Sequence, residues 1–568
     1  MGQGGSLDLL TLIHTRATAF SAAESEPINE TQKLTPKVNP KLLKRAEWTI
    51  AILVSATVLF VFFIRATHAG GLWRDECDSL ELARLPTFGD VFHNLRFTSF
   101  PILFPTTIRL FTNLFGTSDA ALRAFGFLIG VAFLFVAWLN ARTIRRHVPL
   151  VLPALIGLNL TFLTDGTWIR GYGLGSTLLI LAFGLTAFFV AWPTIPRLIA
   201  AFLSYIACMQ CLYFTAALVP ALLLAAFGIC LFRRQIKWAL ALCVVAAICA
   251  ISYVPQFLTY REIKAWTILL RYPITPQLIW HEFLVACGEP VPLMGIVWLS
   301  ISLLSILGAV VLLFRRTERD NLAALPFALL TIVIAALTYF TFLGITHTAP
   351  QTRYHLAFLC LLAAVLEIIV AALCRFQFVR IARLVLVAAL ALALPFLLWP
   401  RITQRETTVD LLAKNLQRYA AADDLIIVNP WFLGPSFSWY YRGQTRWITL
   451  PELTEKRIHR YDLIKAKMEE TDAISDVKSA ISKTLQSGNR VWLLGGAQPS
   501  EETGPLSLSP APDPIFGWSS QAYTYAWSMQ IGGFVKQHVV DGEVVLSPAK
   551  GVSINENIPL VIGRGWRD

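Results

Sequence analysis

Long apolar runs separated by short basic turns fill residues 47–400. A helix that crosses a hydrocarbon core of about 30 Å needs about 20 apolar residues. That ruler predicts eleven spans, near 47–65, 119–140, 148–165, 173–192, 197–213, 214–232, 238–257, 291–314, 322–344, 353–373 and 383–399. The stretch 197–232 is the tightest division, since its halves are short and Pro220 can kink one longer element. Beyond residue 400 the pattern changes to shorter periods. Asp410–Ala422 reads as an amphipathic helix followed by the apolar strand Leu425–Val428, Asp476–Leu485 and Val491–Leu494 repeat that pair, and Val539–Leu546 predicts a hairpin around Asp541-Gly542. The expected organisation is a polar tail over 1–46, a helical membrane module over 47–400 and a soluble α/β domain over 401–568, large enough for its own core.

Composition agrees with a membrane protein. Of 568 residues, 55% are hydrophobic and 15% charged, against about a quarter charged in soluble domains. A disordered chain, a coiled coil and an ordinary cytosolic enzyme are excluded. The net charge of +12 does not point to nucleic acid, because in a membrane chain the placement of Lys and Arg matters more than their sum. Lys41, Lys44 and Arg45, then Arg142, Arg145 and Arg146, Arg197, Arg233, Arg234 and Lys237, Arg315, Arg316 and Arg319, and Arg375, Arg380 and Arg383 fall on one side of an eleven-span arrangement. The positive-inside bias makes that side cytoplasmic, with the N-terminus inside. The expectation is a multi-pass protein of the cell (inner or plasma) membrane, with 66–118, 258–290 and everything after 400 extracytoplasmic. Most of the nine cysteines lie in apolar runs, and Cys208-x-x-Cys211 lacks a strand-turn-helix context, so no disulfide framework or metal site follows.

The first outer loop carries the candidate chemistry. Gly71-Leu72-Trp73-Arg74-Asp75-Glu76-Cys77-Asp78 places three carboxylates at the mouth of a membrane helix, where charge is costly. Acidic residues also suit an ordinary helix start, but a general base with a neighbouring carboxylate fits the same pattern. Phe88, Val91, Phe92 and Leu95 follow at helical spacing, and Pro101–Phe115 is apolar but short, so both suit helices lying on the membrane. In the second outer turn, Asp165 and Arg170 can pair with each other, or Arg170 can hold an anionic head group. The glycines of Arg170–Gly175 are not a dinucleotide fingerprint, since no strand precedes them. Arg261, Lys264, Arg271 and His281 crowd the loop 258–290, and Arg353-Tyr354-His355 opens the tenth span; as a set these basic residues suggest a phosphate or phospholipid partner.

These motifs, in this order, resemble the GT-C superfamily of integral-membrane glycosyltransferases, and in particular its bacterial protein O-mannosyltransferase and lipid A aminoarabinose transferase-like group. The likeness rests on Asp75-Glu76 in WRDECDSLELA, SFPILFPTTIRLF, Arg123 in ALRAFGFLIG, RGYGLG at Arg170–Gly175, Arg353-Tyr354, and NPWFLGPSFSWYYRG at Asn429–Gly443. Pro101 and Pro105 are separated here, where relatives often carry adjacent prolines. The resemblance implies a polytopic helical fold with a C-terminal extracytoplasmic α/β domain. It also implies transfer of a sugar from a polyprenyl-phosphate donor to an acceptor hydroxyl, on a glycan, lipid or protein, with inversion. Asp75 is then the expected base, with Glu76 orienting it or the acceptor. Asp165, Arg170, Tyr172, Lys264, Arg353 and Tyr354 are expected around the donor phosphate and sugar, and neither metal nor cofactor is required. The competing expectation, a transporter or flippase for a lipid-linked or anionic substrate, lacks an inverted repeat or matched broken spans in the sequence.

Overall fold

The computed structural model describes residues 39–98, 100–144, 147–270, 274–288, 291–314, 324–347, 351–496 and 507–568, without the side chains of 257, 258, 260–265 and 270. The tail 1–38, Arg271 and the basic residues Arg145, Arg146, Arg315, Arg316 and Arg319 lie outside the described residues. Two compact units, 1–48 and 49–568, are delimited. Of the first, only 39–48 is described, the opening of helix Pro40–His68.

Among the described residues, nine helices are long and apolar enough to cross a membrane: Pro40–His68, Asp119–Ile144, Gly171–Ala191, Tyr213–Phe232, Ile236–Gln256, Leu293–Phe314, Ala324–Thr346, Thr352–Leu373 and Gln377–Ile402. They coincide with nine of the eleven expected spans. The other two take a different form. Residues 148–165 fold as two five-residue helices, Val151–Leu155 and Leu160–Thr164. Gly157 lies at the break, where a Cβ would stand 2.5 Å from the Pro153 carbonyl and 2.6 Å from Val58 Cγ2, and Asn159 starts the second helix by accepting the Phe162 N–H at 3.1 Å. Ile195–Met209 is a helix of only 15 residues, about 22 Å long.

Both short segments still carry the chain from one end of the bundle to the other. Arg123 near the start of Asp119–Ile144 and Arg170 just before Gly171–Ala191 reach the same helix, Arg74–Ala83. His147 between them pairs with Glu367, 14 positions along a helix from Arg353 and so about 21 Å deeper. Gln210, after the 15-residue helix, accepts the Leu103 N–H at 2.8 Å, back beside the loop helix Leu103–Phe115. The described residues of the stretch 258–290 are largely helical: Ile236–Thr267 runs on past Pro255, and Pro276–Gly288 lies further along.

The C-terminal region builds a five-stranded sheet of β1 (Leu425–Val428), β2 (Arg446–Thr449), β3 (Val491–Leu494), β4 (Val539–Leu546) and β5 (Leu560–Trp566) in the order β2-β1-β3-β5-β4. β1 pairs parallel with β2 and β3, and β5 is antiparallel to β3 and β4. β1 and β3 are fully buried strands, as their unbroken apolar runs require. Helices Tyr461–Glu469, Ser475–Gln486 and Ser520–His538 pack one face, and Val409–Tyr419 and Gly434–Tyr440 the other. The hairpin expected at Asp541-Gly542 is absent: β4 runs straight through, Asp541 and Gly542 pair with Arg564 and Gly563, and Arg564 ties Asp541 and Glu543 at 3.1 Å each. A two-residue hairpin turn needs positive φ, which Gly542 does not have. The segments leaving the carboxyl ends of β1 and β2, the side on which parallel sheets present ligand-binding loops, run to the helical bundle and bring Phe432, Tyr440 and His459 against it.

Candidate active site

The acidic helix Arg74–Ala83 starts directly after Gly70 and Gly71. Gly70 takes φ +66, a conformation open to glycine. Arg123 clasps this turn, donating from Nε to the Gly70 carbonyl at 3.1 Å, from Nη2 to the Gly71 carbonyl at 2.6 Å, and from Nη1 to Glu76 Oε1 at 2.7 Å. Glu76 is fully buried and also accepts the Trp73 N–H at 3.2 Å and the Ile169 N–H at 3.0 Å. The neighbouring carboxylates therefore part company. Glu76 faces inward, caps its own helix and ties it to the turn at Ile169.

Asp75 faces a cluster of guanidinium groups. Its carboxylate stands 3.6 Å from Arg74 Nε, 3.9 Å from Arg170 Nη2 and 3.9 Å from Arg353 Nη2. Arg170 Nη1 donates to the Asp75 carbonyl at 3.1 Å and to Ser79 Oγ at 3.3 Å, and lies 3.6 Å from Asp78. Burial pushes the Asp75 carboxyl up, but Arg170, Arg74, Arg353 and His459 together outweigh it and hold the group at about 2. Burial works against the Arg170 charge, yet Asp75, Tyr172 and Asp78 push its pKa up. Asp78 is driven upward by burial against His459 and Arg170.

Aromatic rings wall the cluster. Arg170 lies over Phe100 at 5.2 Å, and Arg353 over Tyr354 at 5.6 Å and Trp168 at 5.9 Å. Tyr172 is 6.3 Å from Tyr354, which stacks on Phe214 at 4.4 Å. Trp168 also packs on Trp73 at 4.6 Å and donates Nε1–H to Glu406 at 2.8 Å.

The residues expected from the sequence thus gather in large part. Asp75, Arg170, Tyr172, Arg353 and Tyr354 share one end of the bundle. Asp165 does not pair with Arg170: it accepts from Thr164 Oγ1 at 3.2 Å and feels the charges of Arg353 and Arg65. Lys264 lies on helix Ile236–Thr267, and its side chain is outside the described residues. Three contributors from the C-terminal region were not anticipated. The His459 main-chain N–H donates to Asp78 Oδ1 at 2.8 Å. Tyr461 stacks on Trp266 at 4.7 Å. Glu556 Oε1 accepts the Arg74 N–H at 2.7 Å. His459 and Glu556 lie 381 and 482 positions beyond their partners in the acidic helix, and Tyr461 lies far beyond Trp266, so no local pattern marks them; only the Asn429–Gly443 motif hinted that this region takes part.

The sequence matches no protein-family model and no curated protein. Solved structures do match. ArnT from Cupriavidus metallidurans bound to undecaprenyl phosphate superposes with a TM-score of 0.51 at 12% identity, over 91% of this chain and 98% of that one. The apo state of the same protein gives 0.50 at 13% identity, over 79% and 92%. At such identity the likeness is one of fold, and that fold is the architecture the motifs implied: a bundle of apolar helices long enough to cross a membrane, followed by a small sheet domain.

Proposed function

We propose that this chain is a membrane glycosyltransferase that moves a sugar from a polyprenyl-phosphate donor to an acceptor hydroxyl at the outer face of the membrane, its N-terminus cytoplasmic and its 401–568 region extracytoplasmic. The observation that carries the reading is the convergence of Asp75 with Arg170 and Arg353, from three separate parts of the chain, at one end of the bundle. The undecaprenyl phosphate held by the ArnT fold neighbour supports the same donor class.

In this reading the phosphate of the donor lies against Arg170 and Arg353. Its negative charge offsets the two guanidinium groups that hold Asp75 ionised, so the Asp75 pKa rises toward a range in which the carboxylate accepts a proton. The acceptor oxygen attacks the anomeric carbon from the face opposite the phosphate and passes its proton to Asp75. The anomeric C–O bond breaks, and its electron pair leaves with the polyprenyl phosphate, stabilised by Arg170 and Arg353. One displacement inverts the anomeric centre. Glu76 positions the helix that bears Asp75, while Asp165, Tyr172 and Tyr354 line the donor side. A leaving group with a single phosphate is neutralised by these side chains, so the reading assigns no metal or cofactor. The test is incubation of the purified protein in lipid nanodiscs with a panel of labelled polyprenyl-phosphate sugars and a membrane extract as acceptor source. One donor is expected to lose its sugar to an acceptor with inverted configuration; an inert panel sinks the proposal.

A further inference from the structure

Glu556 lies 482 positions beyond Arg74 in the chain, yet its side chain is fully buried against the first turn of the acidic helix. Its Oε1 accepts the Arg74 N–H at 2.7 Å and the Ser436 hydroxyl at 3.3 Å, and its own carbonyl accepts from the Thr408 N–H and hydroxyl at 3.0 Å each. The Arg74 amide is one of the amides a helix start leaves without an intrahelical acceptor, and negative charge is favoured there. A neutral oxygen would satisfy that N–H as well, and a fully buried charge is costly to keep.

We propose that Glu556, in its ionised form, is a positioning residue for Asp75: it pins the first turn of the acidic helix so that Asp75 faces Arg170 and Arg353. The proposal rests on the reading of Asp75 as the base. The groups facing Glu556 are Arg74, Asp75 and Cys77 of the acidic helix, Ser436 of Gly434–Tyr440, and Thr407 and Thr408 of the segment after Gln377–Ile402. Burial raises its carboxyl from an ordinary 4.5 to about 7, with Asp75 adding to the rise and Arg74 and Thr407 opposing it. A folded-state value above the unfolded one means that the stability it contributes is fully present below about 4.5 and is lost as pH rises through about 7. The ionised carboxylate therefore weakens the fold at the pH where it holds the helix.

Glu556→Gln in the full-length protein in nanodiscs keeps an acceptor for the Arg74 N–H and removes the charge. At pH 8 turnover is expected to fall about tenfold, the gap between a charged and a neutral acceptor, with the donor KM within about twofold. The wild type is expected to lose turnover as pH falls through about 7 and the variant is not, and the variant's Tm at pH 8 is expected to rise. Unchanged turnover with an unchanged acid limb overturns the proposal, and so does a loss of turnover that comes with a lower Tm. Should the wild type transfer no sugar, the reading of Asp75 fails on its own, and amide exchange over 73–77 decides the pinning. Protection that changes across pH 7 in the wild type but not in Glu556→Gln supports it; equal protection in both at every pH overturns it.

Discussion

The two ends of the helical bundle each bury a carboxylate, and they treat it differently. At one end Glu367 accepts the Leu150 and Leu152 N–H groups at 3.0 and 2.9 Å and His147 Nε2 at 3.2 Å. It stitches the broken segment Val151–Leu155 to helix Leu356–Leu373. At the other end the partners of Asp75 stop at 3.6 and 3.9 Å, beyond hydrogen-bond range. A carboxylate whose acceptor directions are filled is holding the protein together. One that meets guanidinium groups only at arm's length is not saturated by them. Glu76, saturated like Glu367 but adjacent to Asp75, shows that the contrast follows orientation and not depth.

Three substitutions sharpen or break this contrast. Asp75→Asn should lower sugar transfer by about a thousandfold, within the range for loss of a general base, while the affinity for undecaprenyl phosphate stays within a few-fold; residual activity near that of the wild type would place the base elsewhere. Arg353→Ala should weaken undecaprenyl phosphate binding by roughly 10- to 100-fold, as expected for a lost charge-assisted contact, measurable by titration in nanodiscs. Glu367→Gln should destabilise the fold by about 2 kcal/mol, seen as a lower Tm, with turnover of the folded fraction unchanged. A large fall in turnover there with Tm intact would erase the distinction between the two ends.

Much of this architecture is legible in the sequence because the forces that set it are local. Nine spans follow from runs of about 20 apolar residues, and β1 and β3 begin and end where their apolar runs do. Asp75, Arg170 and Arg353 stand out because charge beside a hydrophobic run needs a reason. What escaped depends on partners distant in the chain. Gly157, at the interruption, lies against Val58 of another helix, and β4 follows β5 beside it through Asp541 and Gly542. Asp75 and Glu76 read alike as neighbours; only the arrival of Arg123 and the Ile169 amide shows which of them is spoken for. His459 and Glu556 look like ordinary surface residues until the sheet delivers their loops to the acidic helix.

The grip of Arg123 has a mechanical corollary. Because one guanidinium holds both Gly70 and Gly71 carbonyls and Glu76, the helix Asp119–Ile144 and the short acidic helix move as a single lever. A tilt that a thicker or thinner bilayer imposes on the long arm is then expected to reach Asp75, so lipid thickness should register at that carboxylate.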